Sequence, residues 1–142
     1  MNSVVPTSPA TPAPHSFLAF DYGAKRVGVA SGNTLTHKAT PLRTIAAEGS
    51  ARFDAIAALV NEWQPHALVV GVPFHPDGAA HDNTARARRF ARQLHGRFHL
   101  VVHEVDERYS TTEAHAQGAA DADAASAAII LEQYLRTLET PL

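Results

Sequence analysis

The sequence predicts an α/β domain: a mixed five-stranded sheet flanked by helices, in the order β-β-β-α-β-α-β-α. Three observations carry this. Two short apolar runs near the start are separated only by a tight, glycine-bearing turn, the pattern of an antiparallel hairpin. Later apolar runs alternate with segments whose hydrophobic residues recur at three- and four-residue steps, the pattern of parallel strands joined by crossover helices. The composition is globular, with 45% hydrophobic and 18% charged residues in 142.

The elements follow in order. Residues 1–15 (MNSVVPTSPATPAPH) hold four of the nine prolines, Pro6, Pro9, Pro12 and Pro14. Such a stretch cannot build a core, so it reads as a disordered tail ahead of a single domain over 16–139. It lacks the basic start and apolar stretch of a secretory signal, and without arginine it suits a transit peptide poorly. Phe17-Leu18-Ala19-Phe20-Asp21 and Val27-Gly28-Val29-Ala30-Ser31 are the hairpin strands. Ala39 to Ile45 is a third strand, which Pro41 marks as an edge or irregular one. A helix is expected over 50–64, with Phe53, Ile56, Ala57, Val60 and Trp63 as its apolar stripe and Pro65 as its stop. Ala67 to Val72 is continuously apolar and reads as a strand buried on both faces. A second helix spans 84–95, with Ala87, Phe90, Ala91 and Leu94 inward and Gly96 as its stop. Phe98 to Val105 is the fifth strand. The last helix covers 122–138, with Ala127, Ala128, Leu131 and Leu135 on its buried side.

Several function classes drop out. With no cysteine, disulfide frameworks, cysteine zinc sites and thiol nucleophiles are excluded. No apolar run reaches the ~18 residues of a membrane span. The net charge of −2 does not advertise nucleic-acid binding, so such a role must rest on a local patch. The nine histidines show no ligand spacing. His75 and His81 flank the Pro-Asp-Gly loop, and His103 shares the face of Glu107; core or surface roles account for them.

Three acids stand where an acid is costly unless it is used. Asp21 closes the first strand on the face of Phe17 and Ala19. Glu107 follows the fifth strand on the face of Val101 and Val105. Asp123 opens the last helix. An α/β layer fold can make the ends of strands one and five neighbours. With the start of the last helix packed nearby, three carboxylates would converge, and a divalent cation is the simplest relief of their repulsion. Oxygen-only ligands favour Mg2+ or Mn2+. Two such ions about 3.5–4 Å apart suit phosphodiester hydrolysis. Each acid also has an ordinary structural use. Asp21 can hydrogen-bond the Gly23 turn, Asp123 can cap its helix, and Glu107 can pair with Arg108 or Arg26.

Four segments, taken together and in order, resemble the YqgF family of pre-16S rRNA nucleases, also described as RuvX-type Holliday junction resolvases. They are Phe20-Asp21-Tyr22-Gly23-Ala24-Lys25-Arg26-Val27-Gly28-Val29-Ala30; Val70-Gly71-Val72-Pro73 with Asp77-Gly78; Asp106-Glu107-Arg108-Tyr109-Ser110-Thr111; and Asp123-Ala124-Ala125-Ser126-Ala127. The resemblance implies an RNase H-like fold, a cytoplasmic bacterial protein and a metal-dependent nuclease site. By position it makes Asp21, Glu107 and Asp123 the catalytic, metal-holding acids, with Asp106 as an alternative ligand. Asp123 is preferred to Asp121 because the Ala-Ala-Ser-Ala run aligns it. The chain departs from the family between the Asp-Glu-Arg motif and the last acid. That stretch is short here, and 115–122 contains neither lysine nor arginine.

Basic residues concentrate at the second helix, which holds Arg86, Arg88, Arg89 and Arg92, with Arg97 following, five of the twelve in the chain. Arg88, Arg89 and Arg92 form a polar stripe suited to phosphates, or simply a solvated face. Lys25, Arg26 and Arg108 lie next to the proposed acids and are better placed for a scissile phosphate. The leading expectation is a two-metal-ion endonuclease acting on the 5' end of pre-16S ribosomal RNA, as monomer or homodimer, with no membrane partner. The alternatives are a dimeric resolvase of branched DNA and a non-catalytic RNA-binding module of the same fold.

Overall fold

The computed structural model describes residues 15–75, 77–80, 82–107 and 121–138. Residues 1–14 of the proline-rich tail, His81, Arg108 and the Tyr109-Ser110-Thr111 part of the third motif lie outside the described residues. Strands β1 (Ser16–Tyr22), β2 (Val27–Asn33), β3 (Ala39–Ile45), β4 (Ala67–Val72) and β5 (Val101–Asp106) form one sheet in the order β3-β2-β1-β4-β5. The β1–β2 and β2–β3 pairs are antiparallel, and the β1–β4 and β4–β5 pairs are parallel. The helices are α1 (Gly49–Trp63), α2 (Thr84–Phe98) and α3 (Ala122–Thr137). This is the predicted element order and the predicted mixed sheet.

Strand alternation sorts the core into two layers. Leu18, Phe20, Val27, Val29, Leu68 and Val70 face α1 and α2, where they meet Phe53, Ile56, Phe90 and Leu94. Phe17, Ala19, Ala67 and Val69 face α3, where they meet Ile130, Leu131 and Leu135. Every residue of β4 is buried, because helices cover both of its faces. The proline in β3 acts as expected: β3 is an edge strand, and its register against β2 shifts where Ala30 meets Pro41.

Packing overrides the sequence pattern at two places. In α1 the buried set is Arg52, Phe53, Ile56 and Leu59, whereas Ala57 is exposed and Trp63 is 42% exposed. The stripe turns toward Leu59 because leucine removes far more apolar area from water than alanine does. Gly96 does not stop α2, which runs on to Phe98, so β5 starts at Val101. A glycine inside a helix costs about 1 kcal/mol. Packing Phe98, partly buried, against the α1/α2 core offsets this, since apolar area removed from water contributes roughly 25 cal/mol per Å². The true stop is His99, left-handed at φ 58°, whose N–H donates to the His95 carbonyl.

The approach of α3 is set by small residues. Gly28, Ala30 and Gly32 line the α3 side of β2. A Cβ built on Gly28 would lie 1.9 Å from the Asp123 carbonyl oxygen, and one on Gly32 would lie 2.9 Å from Leu131 Cδ2. Ala30 packs on Ala127 and Ala128. A side chain at position 28 would therefore force the first turn of α3 off the sheet. Gly28→Ala is expected to lose about 1–3 kcal/mol in urea denaturation. Gly96→Ala, with nothing within 4 Å of the added carbon, should gain about 0.5–1 kcal/mol. Unchanged stability in Gly28→Ala would contradict this seating of α3.

Candidate active site

The acid end of the molecule is a row across the sheet. Asp21 pairs with Gly28 of β2 on one side and with Gly71 of β4 on the other. Directly opposed residues share a face, so Asp21 projects toward α3 between two residues without side chains. Gly28 admits the backbone of α3. Gly71 admits Glu107: a Cβ at position 71 would lie 3.0 Å from Glu107 Oε2 and 2.4 Å from Ile130 Cδ1. Glu107 follows β5 directly, and its N–H donates to the Val72 carbonyl at 3.1 Å. This tie continues the β4–β5 pairing and turns the glutamate inward.

Glu107 is only 5% exposed. Burial, the neighbouring Asp21 charge, a side-chain hydrogen bond with Asp21 and the Asp106 charge push its carboxyl up to about 10. Two carboxyl groups in hydrogen-bond contact cannot both ionise cheaply, so near neutral pH Glu107 keeps a proton and donates it to Asp21. Glu107 Oε2 is buried and has no hydrogen-bond partner among the described residues. An orphaned buried oxygen costs about 1–3 kcal/mol, so this end of the molecule is held at some expense in stability.

Asp123 sits at the same end but points elsewhere. Its carboxylate pairs with Arg26 Nε at 3.1 Å, with the two side chains 29% and 65% exposed. Among the described residues, no three His, Cys, Asp or Glu side chains stand close enough together to hold an ion. The structure thus joins Asp21 and Glu107, and it leaves Asp123 turned to Arg26. The expected convergence of three carboxylates is a convergence of two. Asp123 is not the helix cap either. Asp121 takes that place, accepting from the Ala124 N–H at 3.2 Å and from the Thr44 hydroxyl. Glu107 does not pair with Arg26, which Asp123 engages.

Gly23, Ala24, Lys25, Arg26 and Asp123 line an open notch of about 420 Å³ beside the acids. The β1–β2 turn that carries Lys25 and Arg26 is tight, since the Arg26 carbonyl lies 2.6 Å from a Cβ built on Gly23. The α2 arginines lie on the other layer. Arg88 Nε pairs with Glu104 of β5 at 3.3 Å, and its guanidinium rests 5.4 Å from the Phe74 ring. Arg92 lies beside Val101 and Val102 at the β5 edge. Arg89 faces the α1 side with Arg86. His103 stacks on Tyr134 with ring centroids 4.8 Å apart, in keeping with a core role.

Sequence reasoning passed over Arg52. It is buried, its Nε donates to the Ala47 carbonyl at 2.8 Å, and its Nη2 donates to the Ala24 carbonyl at 3.0 Å. It therefore braces the turn that presents Lys25 and Arg26. The signal lay in the spacing Arg52, Ile56, Leu59, which puts the arginine on the apolar stripe.

The chain has recognisable relatives. The family model "RuvX: Holliday junction resolvase" matches residues 15–137. A protein of Polaromonas sp. (strain JS666) named "Putative pre-16S rRNA nuclease" is 69% identical over 123 residues, covering 87% of this chain and 89% of that one. A protein of the same name from Paraburkholderia phytofirmans is 55% identical over 127 residues, covering 84% and 87%. Among solved structures, "T. thermophilus RuvC in complex with Holliday junction substrate" aligns with a TM-score of 0.53 at 16% identity, covering 87% of this chain and 95% of that one. That likeness is one of fold, and the fold is RNase H-like. On the strength of the sequence matches, the chain belongs to the RuvX (YqgF) family.

Proposed function

We propose that this protein is a divalent-metal-dependent endonuclease that hydrolyses phosphodiester bonds at the 5' end of precursor 16S ribosomal RNA, working in the cytoplasm. Two lines of support meet here. The relatives carry the name "Putative pre-16S rRNA nuclease". The observation that carries the chemistry is the Asp21–Glu107 carboxyl pair at the end of the sheet, with Glu107 buried, Asp21 half-buried and Glu107 Oε2 unpartnered among the described residues.

The pair fits a hard cation. Its donors are all oxygens, its joint charge is repulsive without a positive partner, and one donor oxygen has no other use. Asp21 and Glu107 would hold the ion, which suits Mg2+ or Mn2+. When bound, such a cation stabilises the negative charge that develops on the phosphoryl group. The two-ion form of this chemistry would draw Asp123 away from Arg26. That exchange is inexpensive, because a solvent-exposed ion pair contributes only about 0–1 kcal/mol.

The chain's own residues do the remainder. To hold the ion, Glu107 would be ionised, its carboxyl proton passing to solvent. Asp21, fixed between Gly28 and Gly71, orients the reacting centre from the sheet itself, a rigid base. Arg26 is exposed and can trade Asp123 for a substrate phosphate, and Lys25 adds a second cation on the same turn. Branched DNA presents the same phosphodiester, so the substrate is decided by experiment.

Two outcomes follow. Purified protein with Mg2+ should cut a precursor 16S rRNA fragment, with a four-way DNA junction as the competing substrate. Asp21→Asn should lower the rate at least about 100-fold. Undiminished cleavage by the variant would remove Asp21 from the chemistry, and preferential cutting of the junction would replace the RNA assignment. The second outcome concerns pH. The folded Glu107 pKa lies above its ordinary 4.5, so the folded state binds the proton more tightly than the unfolded chain does. The resulting stability is fully present below pH 4.5 and is lost as pH rises toward 10. Metal-free protein should therefore weaken between pH 5 and pH 8, by up to about 1 kcal/mol per unit. Glu107→Gln should flatten that slope and be the more stable form at pH 8 by about 1–3 kcal/mol. A wild-type profile no steeper than that of the variant would contradict the shared proton.

A further inference from the structure

On the opposite side of the sheet from the acids, a groove of about 320 Å³ opens between α1 and α2. Arg52, Arg86 and Arg89 line it, against a single carboxylate, Glu48. Arg86, Arg89 and Gln93 recur at steps of three and four, so one side of α2 faces the groove. None of the three arginines is ion-paired among the described residues: the salt bridges there are Arg26–Asp123 and Arg88–Glu104. Arg52 is the informative one. It is 5% exposed, is held by two backbone carbonyls and lies 5.5 Å over the Tyr22 ring, yet it has no carboxylate partner among the described residues. A buried guanidinium without a counter-charge is an electrostatic liability that a bound anion relieves.

The groove reaches the end of β1 that carries Asp21, since Tyr22 lines it. Asp21 and Tyr22 are consecutive residues of β1, and alternation sends Asp21 to the α3 layer and Tyr22 to the α1/α2 layer. Ala24 lines both this groove and the notch of Lys25, Arg26 and Asp123. An anion that extends around the β1–β2 turn touches both, and an isolated phosphate does not.

We propose that the Arg52–Arg86–Arg89 groove binds the phosphodiester backbone of the substrate strand away from the scissile bond, as a second contact on the far face of the sheet. This rests on the nuclease reading above, and it names where that substrate runs. Arg86 and Arg89 make the phosphate contacts. Arg52 supplies fixed positive charge at the base and holds the turn around which the strand passes. Glu48 opposes the strand and limits how tightly it is held.

The test uses full-length protein carrying Asp21→Asn, so that binding is read without cleavage. A fluorescently labelled single-stranded RNA of about 16 nucleotides is titrated across a range of salt. Adding Arg86→Gln and Arg89→Gln should weaken binding about tenfold. It should also reduce the slope of log K against log salt by about 1.4, two contacts at about 0.7 each. In the cleavage-competent protein the same pair should raise KM and leave kcat in place. Glu48→Gln should tighten binding. Both arginines lie on a solvent-exposed helix face, so folding is preserved, and circular dichroism checks it. A control with Lys38→Gln and Arg136→Gln removes two charges at the opposite end of the sheet and α3. Unchanged affinity and slope in the Arg86/Arg89 variant would overturn the proposal, and so would an equal loss in the control. Failure of the nuclease reading looks different: wild type would bind the strand with the groove-dependent slope and never cut it.

Discussion

The structure turns on one narrow constraint: the residues on either side of Asp21 in the sheet have no side chains. Gly28 lets the backbone of α3 come to rest against β2, and Gly71 leaves room for the Glu107 carboxyl. Larger residues at either place would separate the elements that carry the acids. Asp21 and Glu107, 86 positions apart in the chain, become neighbours because β1 and β5 both flank β4 and run parallel to it. The glycines therefore serve the fold and the candidate site together, removing bulk where α3 and Glu107 come close to β1.

The same end of the sheet presents opposite charge on its two faces. On the α3 side, burial and mutual repulsion leave a carboxyl pair that holds a proton in the absence of a cation. On the α1/α2 side, a buried arginine braces the β1–β2 turn and heads a groove with two more. Consecutive residues of β1, Asp21 and Tyr22, divide the two environments. On the reading proposed above, a polyanion would meet the α2 arginines on one side and, on the other, the acids with Lys25 and Arg26 beside them.

Much of this was legible in the residues. Alternation put Asp21 with Phe17 and Ala19, and Glu107 with Val101 and Val105; the structure places Phe17, Ala19, Val105 and both acids on the α3 side of the sheet, while Val101 is 57% exposed. The Pro41 irregularity and the buried β4 followed from backbone rules. What was missed required tertiary knowledge. The direction of the Asp123 carboxylate depends on where the β1–β2 turn holds Arg26, which no local pattern encodes. The end of α2 depends on Phe98 finding the core, which outweighed the glycine two residues earlier. Arg52 was hidden by its type, because a charged residue on an apolar stripe reads as an interruption until its two carbonyl partners are seen. The α2 arginines looked like one stripe in sequence, yet the helix divides them between Glu104 and the α1 groove.

The most direct measurement is anomalous diffraction from crystals of the protein soaked in manganese. If the carboxyl pair exists to receive a cation, an anomalous peak stands between Asp21 and Glu107, within bonding distance of an oxygen from each. A well-ordered crystal with manganese bound elsewhere, and these two carboxyls still hydrogen-bonded to each other, would show that the pair is a structural contact and remove the basis for a metal-dependent site.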